Sequence, residues 1–138
     1  MDADEARALL ASARVARLAT ADAAGRPHLV AITFAVDGDD IVTAVDHKPK
    51  RTTRLRRLAN IESNPRVSVL ADHYEDDWSK LWWARADGLA RVVEPGAAEH
   101  ERAVSRLAAR YPQYEERRPG EGVILISVSR WRGWRAAR

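Results

Sequence analysis

Apolar residues recur along this 138-residue chain with two spacings, one typical of helices and one typical of strands. An amphipathic helix is predicted over residues 2–13, because apolar side chains return there every three or four positions. These side chains are Ala6, Leu9, Leu10 and Ala13. Alternating or continuous apolar runs, bounded by turn-forming residues, predict strands at 15–20, 28–36, 41–45, 66–71 and 123–128. The longest of these runs, 28–36, is almost wholly apolar and is expected to be a buried strand.

Two further helices are predicted. The first follows residue 45, with Leu55, Leu58 and Ala59 on its buried side, and Asn64-Pro65 ends it because the residue before a proline avoids helical geometry. The second begins near Pro95. Its buried face is expected to consist of Val104, Leu107, Ala108 and Tyr111.

The remaining segments connect these elements. Asp37-Gly38 predicts a tight hairpin turn, whereas Asp87-Gly88 interrupts a β-like stretch over 78–94 as either a turn or a bulge. Residues 111–122 are expected to form a polar connector, and 129–138 a tail.

Short turns between neighbouring strands favour antiparallel pairing. With about six strands in one small domain, closure into a barrel is favoured because it removes exposed strand edges. The sequence therefore predicts a mainly β fold with flanking helices (α+β), a small barrel spanning residues 1–138 as one domain.

Composition narrows the possibilities. Apolar residues make up 46% and charged residues 31% of the chain, as in ordinary globular proteins. The absence of cysteine excludes disulfides, thiolate catalysis and cysteine-based zinc sites. Neither a signal peptide nor a stretch of membrane-spanning length is recognisable, so a soluble cytoplasmic protein is expected. Abundant Ala and Arg with scarce Lys suggest a GC-rich genome, for example an actinobacterial one.

A strongly basic segment follows the strand at 41–45. Six cations occur within residues 48–57, and no acid occurs between Asp46 and Glu62. They are Lys48, Lys50, Arg51, Arg54, Arg56 and Arg57. Two of the chain's three lysines lie here. A strand, a short proline-containing loop and the start of a basic helix together favour binding of an anion.

Three interpretations of this segment remain open. It could be a solvated helix face, although the missing counter-charges make self-repulsion costly. It could contact nucleic acid, but the segment contains no aromatic residue and no known nucleic-acid motif. It could hold the phosphate of a small cofactor, with Thr52 and Thr53 as additional donors.

Other chemistries have little support. No GxSxG elbow, P-loop, GxGxxG or HExxH pattern occurs. The acidic loop around His73 is better explained as a solvated loop than as a metal site, because no second ligand set is apparent. Five tryptophans, Trp78, Trp82, Trp83, Trp131 and Trp134, could pack in the core or an interface, or wall a slot for a flat ring.

The ordered set of segments VARLATADAAGRPHLVAITF, IVTAVDHKPKR, LANIESNPRVSVL, DDWSKLWWARADGLARVVE and RWRGW resembles the flavin/deazaflavin oxidoreductases. These have a split β-barrel fold, also called the FMN-binding split barrel, and their superfamily includes pyridoxamine 5′-phosphate oxidase. The last two segments resemble most its branch of probable F-420-dependent enzymes. The resemblance covers nearly the whole chain. Pyridoxal chemistry is not expected, because the chain is shorter than the oxidase that gives the superfamily its name.

The resemblance implies a homodimer with cofactor sites in clefts between the subunits. It implies that the cofactor ring lies near Ile32, Thr33 and Phe34, with Val45 and Asp46 at the end of the neighbouring strand. It further implies that Lys48, Lys50 and Arg51 hold the phosphate. Trp78 and Lys80 are expected to reach the site from the other subunit.

The implied activity is that of an F-420-dependent oxidoreductase, in which hydride passes between the reduced deazaflavin (8-hydroxy-5-deazaflavin) and an unsaturated small-molecule substrate. The phosphodiester and oligoglutamate tail of F-420 would suit a cationic rim. FMN is the alternative cofactor, and a non-catalytic deazaflavin- or nucleic-acid-binding protein is the alternative class. No catalytic residue and no metal ligand is identified, and nucleic acid or membrane partners are not expected.

Overall fold

The computed structural model describes residues 1–45 and 56–137. Within these residues, the helices are α1 (Ala3–Ser12), α2 (Arg56–Ser63), α3 (Ala98–Arg110) and α4 (Pro112–Glu116). The strands are β1 (Ala16–Ala21), β2 (Pro27–Ile32), β3 (Ala35–Asp37), β4 (Asp40–Ala44), β5 (Arg66–His73), β6 (Trp82–Val93) and β7 (Val123–Arg135). One turn of 3₁₀ helix at Trp78–Lys80 precedes β6.

The seven described strands form a single sheet in the order β2-β1-β5-β6-β7-β4-β3, and every described pair of strands is antiparallel. The two edge strands of this sheet, β2 and β3, are consecutive in the chain and are separated only by Thr33 and Phe34. A sheet whose two edges share one short segment must curl back on itself. The predicted mainly β class, antiparallel pairing and split-barrel architecture with flanking helices are therefore confirmed.

The core has two parts on opposite sides of the curled sheet. Inside the curl, Leu10 from α1 and Phe34 from the β2–β3 corner pack with apolar residues of the central strands and with Ile61 from α2. Outside it, Val104 and Leu107 of α3 pack on the other face of β4 and β7. The predicted apolar face of α1 is confirmed, since Ala6 and Leu10 are fully buried.

The buried strand predicted over 28–36 is wrong in two respects. Its first half, β2, alternates between exposed and partly buried positions until Ile32, because it is an edge strand with one face open. The run also breaks at Thr33 and Phe34 before β3 begins.

Three other predictions need correction. The predicted tail forms the second half of β7, and the predicted polar connector contains the short helix α4. In α2, the described buried residues are Asn60 and Ile61, whereas Ala59 is exposed. Leu55 lies outside the described residues.

Asp87-Gly88 forms a bulge and not a turn. Asp87 pairs with Arg130 whereas Gly88 pairs with Val128, which leaves Ser129 between them without a partner in the register. A Cβ at position 88 would lie 2.2 Å from the Ser127 carbonyl oxygen, so only glycine permits this close approach of the strands. The bulge keeps β6 and β7 paired along their whole length while the sheet bends.

The corner between β2 and β3 is held by polar side chains from α3 and the segment that follows it. The Phe34 N–H donates to the Tyr111 hydroxyl at 3.1 Å, and that hydroxyl lies 2.9 Å from the Phe34 carbonyl oxygen. The Arg110 guanidinium donates to the same carbonyl at 2.7 Å and to the Ala13 carbonyl. Its carbon also lies 4.9 Å from the centre of the Phe34 ring. Backbone groups that leave the sheet ladder at the corner thus regain hydrogen bonds.

Residue Thr33 of the corner has its own partners. The Thr43 hydroxyl of β4 donates to the Thr33 carbonyl at 2.7 Å, and the Thr33 and Tyr114 hydroxyls are 2.9 Å apart. Tyr111, Tyr114, Arg110 and Thr43 together are called the corner clamp below.

A second polar contact joins α3 to the β3–β4 hairpin. Asp37 accepts hydrogen bonds from Arg102 at 2.7 and 3.2 Å and pairs with Arg106 at 3.1 Å, while its side chain is only 16% exposed. The hydrogen bond from Arg102 lowers the pKa of the Asp37 carboxyl below its ordinary value. The adjacent turn uses Gly38 in the left-handed region, at φ +64°, which glycine adopts without strain.

None of the helices in the described ranges combines the length and the apolar character needed to cross a membrane.

Replacing Tyr111 by Phe removes the clamp hydroxyl and leaves the Phe34 N–H buried without its partner. We expect a loss of about 1–3 kcal/mol in the free energy of unfolding, the usual penalty for such a group. Urea unfolding measures it. Tyr114→Phe is the matched control, because it removes only the contact with Thr33, and its loss should be smaller. Equal losses for the two variants would contradict the role assigned to Tyr111.

Acid should weaken the contact between Asp37 and the two arginines. Because the folded-state pKa lies below the unfolded value of about 3.9, this contact stabilises fully above that pH and is lost as the pH falls through the lowered pKa. The difference in unfolding free energy between wild type and Asp37→Asn should therefore shrink between about pH 6 and pH 3. Asp76→Asn, at an exposed position, serves as the control. A constant difference across this range would rule out the linkage.

Candidate functional site

The segment predicted to lie along the cofactor ring coincides with the β2–β3 corner. Ile32 is 5% exposed, Phe34 is fully buried, and both side chains pack inside the curl. Thr33 is partly buried, and its hydroxyl faces Tyr114. A flat ring lying against the corner would contact the backbone of residues 32–34 and the Thr33 side chain. The Ile32 and Phe34 side chains would lie on the opposite side of that backbone, inside the curl.

Val45 follows the last residue of β4 and is partly buried. The Thr33 carbonyl accepts a hydrogen bond from Thr43 of β4, so the corner and the end of β4 are neighbours. The predicted phosphate ligands Lys48, Lys50 and Arg51 lie outside the described residues, as does Asp46.

Trp78 and Lys80 lie together on the 3₁₀ turn before β6, and neither is buried. Asp77 fixes this turn, because its carboxylate accepts hydrogen bonds from the Ser79 N–H at 3.1 Å and the Ser79 hydroxyl at 2.7 Å. These bonds lower the pKa of Asp77. Trp78 is 67% exposed, which is unusual for so large an apolar ring and leaves it available to a partner or a ligand.

A cleft of about 650 Å³ lies between the β1–β2 turn and α2, immediately after the basic segment. Arg56, from the end of that segment, and Arg26, from the turn, both line it, with Asn60 and Ser63. Arg26 also pairs with Asp22 at 3.0 Å. No pattern in the sequence points to Arg26, since it lies thirty residues from Arg56 and only folding brings them to one cleft.

The outer face of the sheet over β2, β1, β5 and β6 carries exposed leucines. Leu29, Leu70 and Leu89 are 67%, 39% and 56% exposed. The register places Leu29 opposite Ala19, and Leu70 opposite Arg17. Among the described helices, α1 and α2 pack with residues of the inner core and α3 covers the other end of the sheet. These three leucines and their neighbours on that face are called the outer face below.

The tryptophans divide between packing and exposure. Trp82 and Trp131 are partly buried against the core, and the Trp131 indole N–H donates to Asp39 at 2.9 Å. Trp83 stacks near the Arg85 guanidinium at 5.8 Å, and Trp134, opposite it in the register, is 47% exposed. A core role therefore accounts for only part of this aromatic set.

The acidic loop behaves as a solvated loop in the part that the structure describes. His73 contacts Glu75, and Asp77 caps the 3₁₀ turn. Within residues 1–45 and 56–137, no group of three or more His, Cys, Asp or Glu side chains is arranged to hold a metal ion.

Comparison with known structures shows the same fold in several bacterial proteins. A conserved hypothetical protein from Mycobacterium tuberculosis is 26% identical, with a TM-score of 0.76, over 98% of this chain and 85% of that one. A FAD-binding protein from Mesorhizobium loti is 22% identical, with a TM-score of 0.71, over 96% and 94%. HutZ, the heme storage protein from Vibrio cholerae, is 18% identical, with a TM-score of 0.72, over 96% and 90%.

No curated protein sequence matches this chain significantly. The family model of pyridoxamine 5′-phosphate oxidase, however, matches residues 3–135, which include every described helix and strand. By this match, the chain belongs to the pyridoxamine 5′-phosphate oxidase family.

Proposed function

We propose that this protein is an F-420-dependent oxidoreductase that reduces an unsaturated organic substrate. The observation that carries the proposal is where the described residues on either side of the basic segment lie. The end of β4 lies beside the corner, where the resemblance expects the cofactor ring. Arg56, at the start of α2, lines a cleft together with Arg26 and Asp22. The bound deazaflavin would supply the hydride, and the protein would bind, orient and shield it.

The described residues fit a flat ring at the corner. The corner clamp fixes the Thr33 and Phe34 backbone through bonds of 2.7–3.1 Å, so a ring would meet a surface that needs no reorganisation. Apolar Ile32 and Phe34 beneath that surface exclude water. Lys48, Lys50 and Arg51 would neutralise the phosphate.

The cleft at α2 favours a long cofactor over a short one. Arg26 precedes β2 and Thr33 follows it, so the six residues of β2 separate the corner from the cleft by about 20 Å. A ligand that reached both would need an extended anionic chain. The oligoglutamate tail of F-420 has this character, whereas FMN ends at its phosphate.

We also propose that the protein is a homodimer joined through the outer face, with Trp78 and Lys80 completing the partner's site. Leu29, Leu70 and Leu89 would be removed from water in such an assembly. Burying apolar area of this kind is the main source of stability in permanent dimers.

A flavin on the same scaffold is the second candidate, because one protein of this fold is described as FAD-binding. Another is described as a heme storage protein, so a non-catalytic binding role is the third. Titration with F-420, FMN and heme side by side distinguishes these three candidate functions. Tighter binding of FMN than of F-420 would replace the first proposal, and F-420 binding without turnover on a panel of conjugated acceptors would indicate sequestration.

Replacing Lys50 and Arg51 together by Ala should weaken F-420 binding at least about tenfold, since each charge-assisted hydrogen bond contributes about 1.5–3 kcal/mol. The loss should be larger at low salt, where charges are less screened. Quenching of F-420 fluorescence measures the affinity. Arg117→Ala with Arg118→Ala removes the same charge outside the basic segment and should leave the affinity unchanged. Equal affinities for wild type and the Lys50/Arg51 variant would place the phosphate elsewhere.

Leu70→Asp should convert the dimer to a monomer, because it replaces an apolar side chain of the proposed interface by a charged one. Light scattering after gel filtration measures the mass. Ala98→Asp adds the same charge at the exposed start of α3 and should leave the dimer intact. A wild-type protein that is monomeric at all concentrations tested would exclude the dimer.

A further inference from the structure

A second cleft, of about 470 Å³, lies at the open end of the β6–β7 ladder. Its lining consists of Ser79, Lys80, Trp82, Arg135 and Ala136. Two of these five residues are cations, one is aromatic, and none is acidic. Its volume is within the range of small-ligand sites.

The walls of this cleft are fixed by hydrogen bonds. Trp82 and Arg135 are directly opposite in the register, and the Ala136 N–H donates to the Leu81 carbonyl at 3.0 Å. The capping of Ser79 by Asp77 holds the turn that carries Lys80. Trp82 packs against the core and also lines the cleft, so its position is held from behind.

The charges that line the cleft favour binding of an anion. Lys80 and Arg135 are both exposed, and neither forms an ion pair with another residue in 1–45 or 56–137. Two like charges facing one concave space create a positive potential that attracts a counter-ion. An arginine fork binds a carboxylate through two parallel hydrogen bonds, and the tryptophan face favours a flat apolar body beside it.

We infer that this cleft binds an aromatic carboxylate, with the carboxylate between Arg135 and Lys80 and the ring against Trp82. The site adds Arg135, for which no pattern in the sequence indicated a ligand, to Trp82, one of the tryptophans that could wall a slot for a flat ring. Lys80 is also a predicted cofactor residue, but the inference concerns protein without cofactor and stands apart from the F-420 proposal.

Calorimetric titration of the cofactor-free protein with sodium benzoate tests the inference, with sodium chloride added to keep the ionic strength constant. Benzoate should bind at least about tenfold more tightly than benzamide, its neutral isostere, because only benzoate brings a negative charge to the two cations. It should also bind more tightly than cyclohexanecarboxylate, which lacks the flat ring. No heat with benzoate, or equal affinity for benzoate and benzamide, would overturn the inference. Equal affinity for the two carboxylates would overturn the assignment of an aromatic ligand.

Variants locate the site. Arg135→Gln and Lys80→Gln, both at exposed positions, should each lower benzoate affinity about tenfold, whereas Arg117→Gln should not change it. Circular dichroism checks that each variant is folded. In a nitrogen–proton NMR spectrum, benzoate should shift the Trp82 indole signal, identified by its loss in Trp82→Phe, more than that of Trp131. Unchanged affinity in Arg135→Gln, or a shift confined to other tryptophans, would place the bound benzoate outside this cleft.

Discussion

The fold depends on the short segment Thr33–Phe34, where the chain passes from one edge of the sheet to the other. A sheet edge exposes backbone donors and acceptors that must find partners. Here the two edges are the consecutive strands β2 and β3. The Thr33–Phe34 segment between them therefore has no neighbouring strand with which to form backbone hydrogen bonds. The hydroxyl of Tyr111 and the guanidinium of Arg110 supply the hydrogen bonds that a neighbouring strand would otherwise form with Phe34. Because these groups come from α3 and its C-terminal end, the helix that covers one face of the sheet also determines how the sheet closes.

The same constraint explains why the corner suits a binding site. Its backbone is fixed by side chains from behind, its apolar side chains point into the core, and one polar residue, Thr33, remains beside the break. Burial lowers the pKa of the Arg110 guanidinium, which still retains two carbonyl acceptors and an aromatic neighbour. The cost of placing a charge there is offset by contacts that all converge on the corner.

Elements with a clear apolar period were predictable from the sequence, and those formed by mixed residues were not. The helix α1, the β3–β4 hairpin and the faces of α3 were read correctly because burial on one side imposes the period. The second half of β7 was missed because exposed arginines alternate there with Trp131 and Gly133, and this composition resembles a tail. The break at Thr33 was missed because the apolar run continues through it. The Tyr111 and Arg110 side chains that hold the break lie about eighty positions away.

The candidate site was predictable only where it is local in sequence. The basic segment and the corner follow one another along the chain, so a resemblance could assign them together. Arg26 beside Arg56, and Arg135 beside Lys80, come together through strand pairing and turn geometry. No periodicity along the chain contains that information. The outer face likewise became visible only when the register placed its leucines on one side of the sheet.

Arginine and lysine occur in different settings in this chain, and the difference bears on the proposed anion sites in the basic segment and at the end of β6. Several described arginines are engaged with fixed partners: Arg102 and Arg106 with Asp37, Arg91 with Glu99, and Arg110 with carbonyls. A planar guanidinium suits such permanent, multiply bonded contacts, whereas the ammonium of lysine is a mobile, strongly hydrated point charge. The chain has only three lysines. Lys48 and Lys50 lie in the predicted phosphate-binding segment, and Lys80 lines the cleft at the end of β6. All three lysines therefore occur in the segment or the cleft where an anion is proposed to bind, a distribution that composition alone does not require.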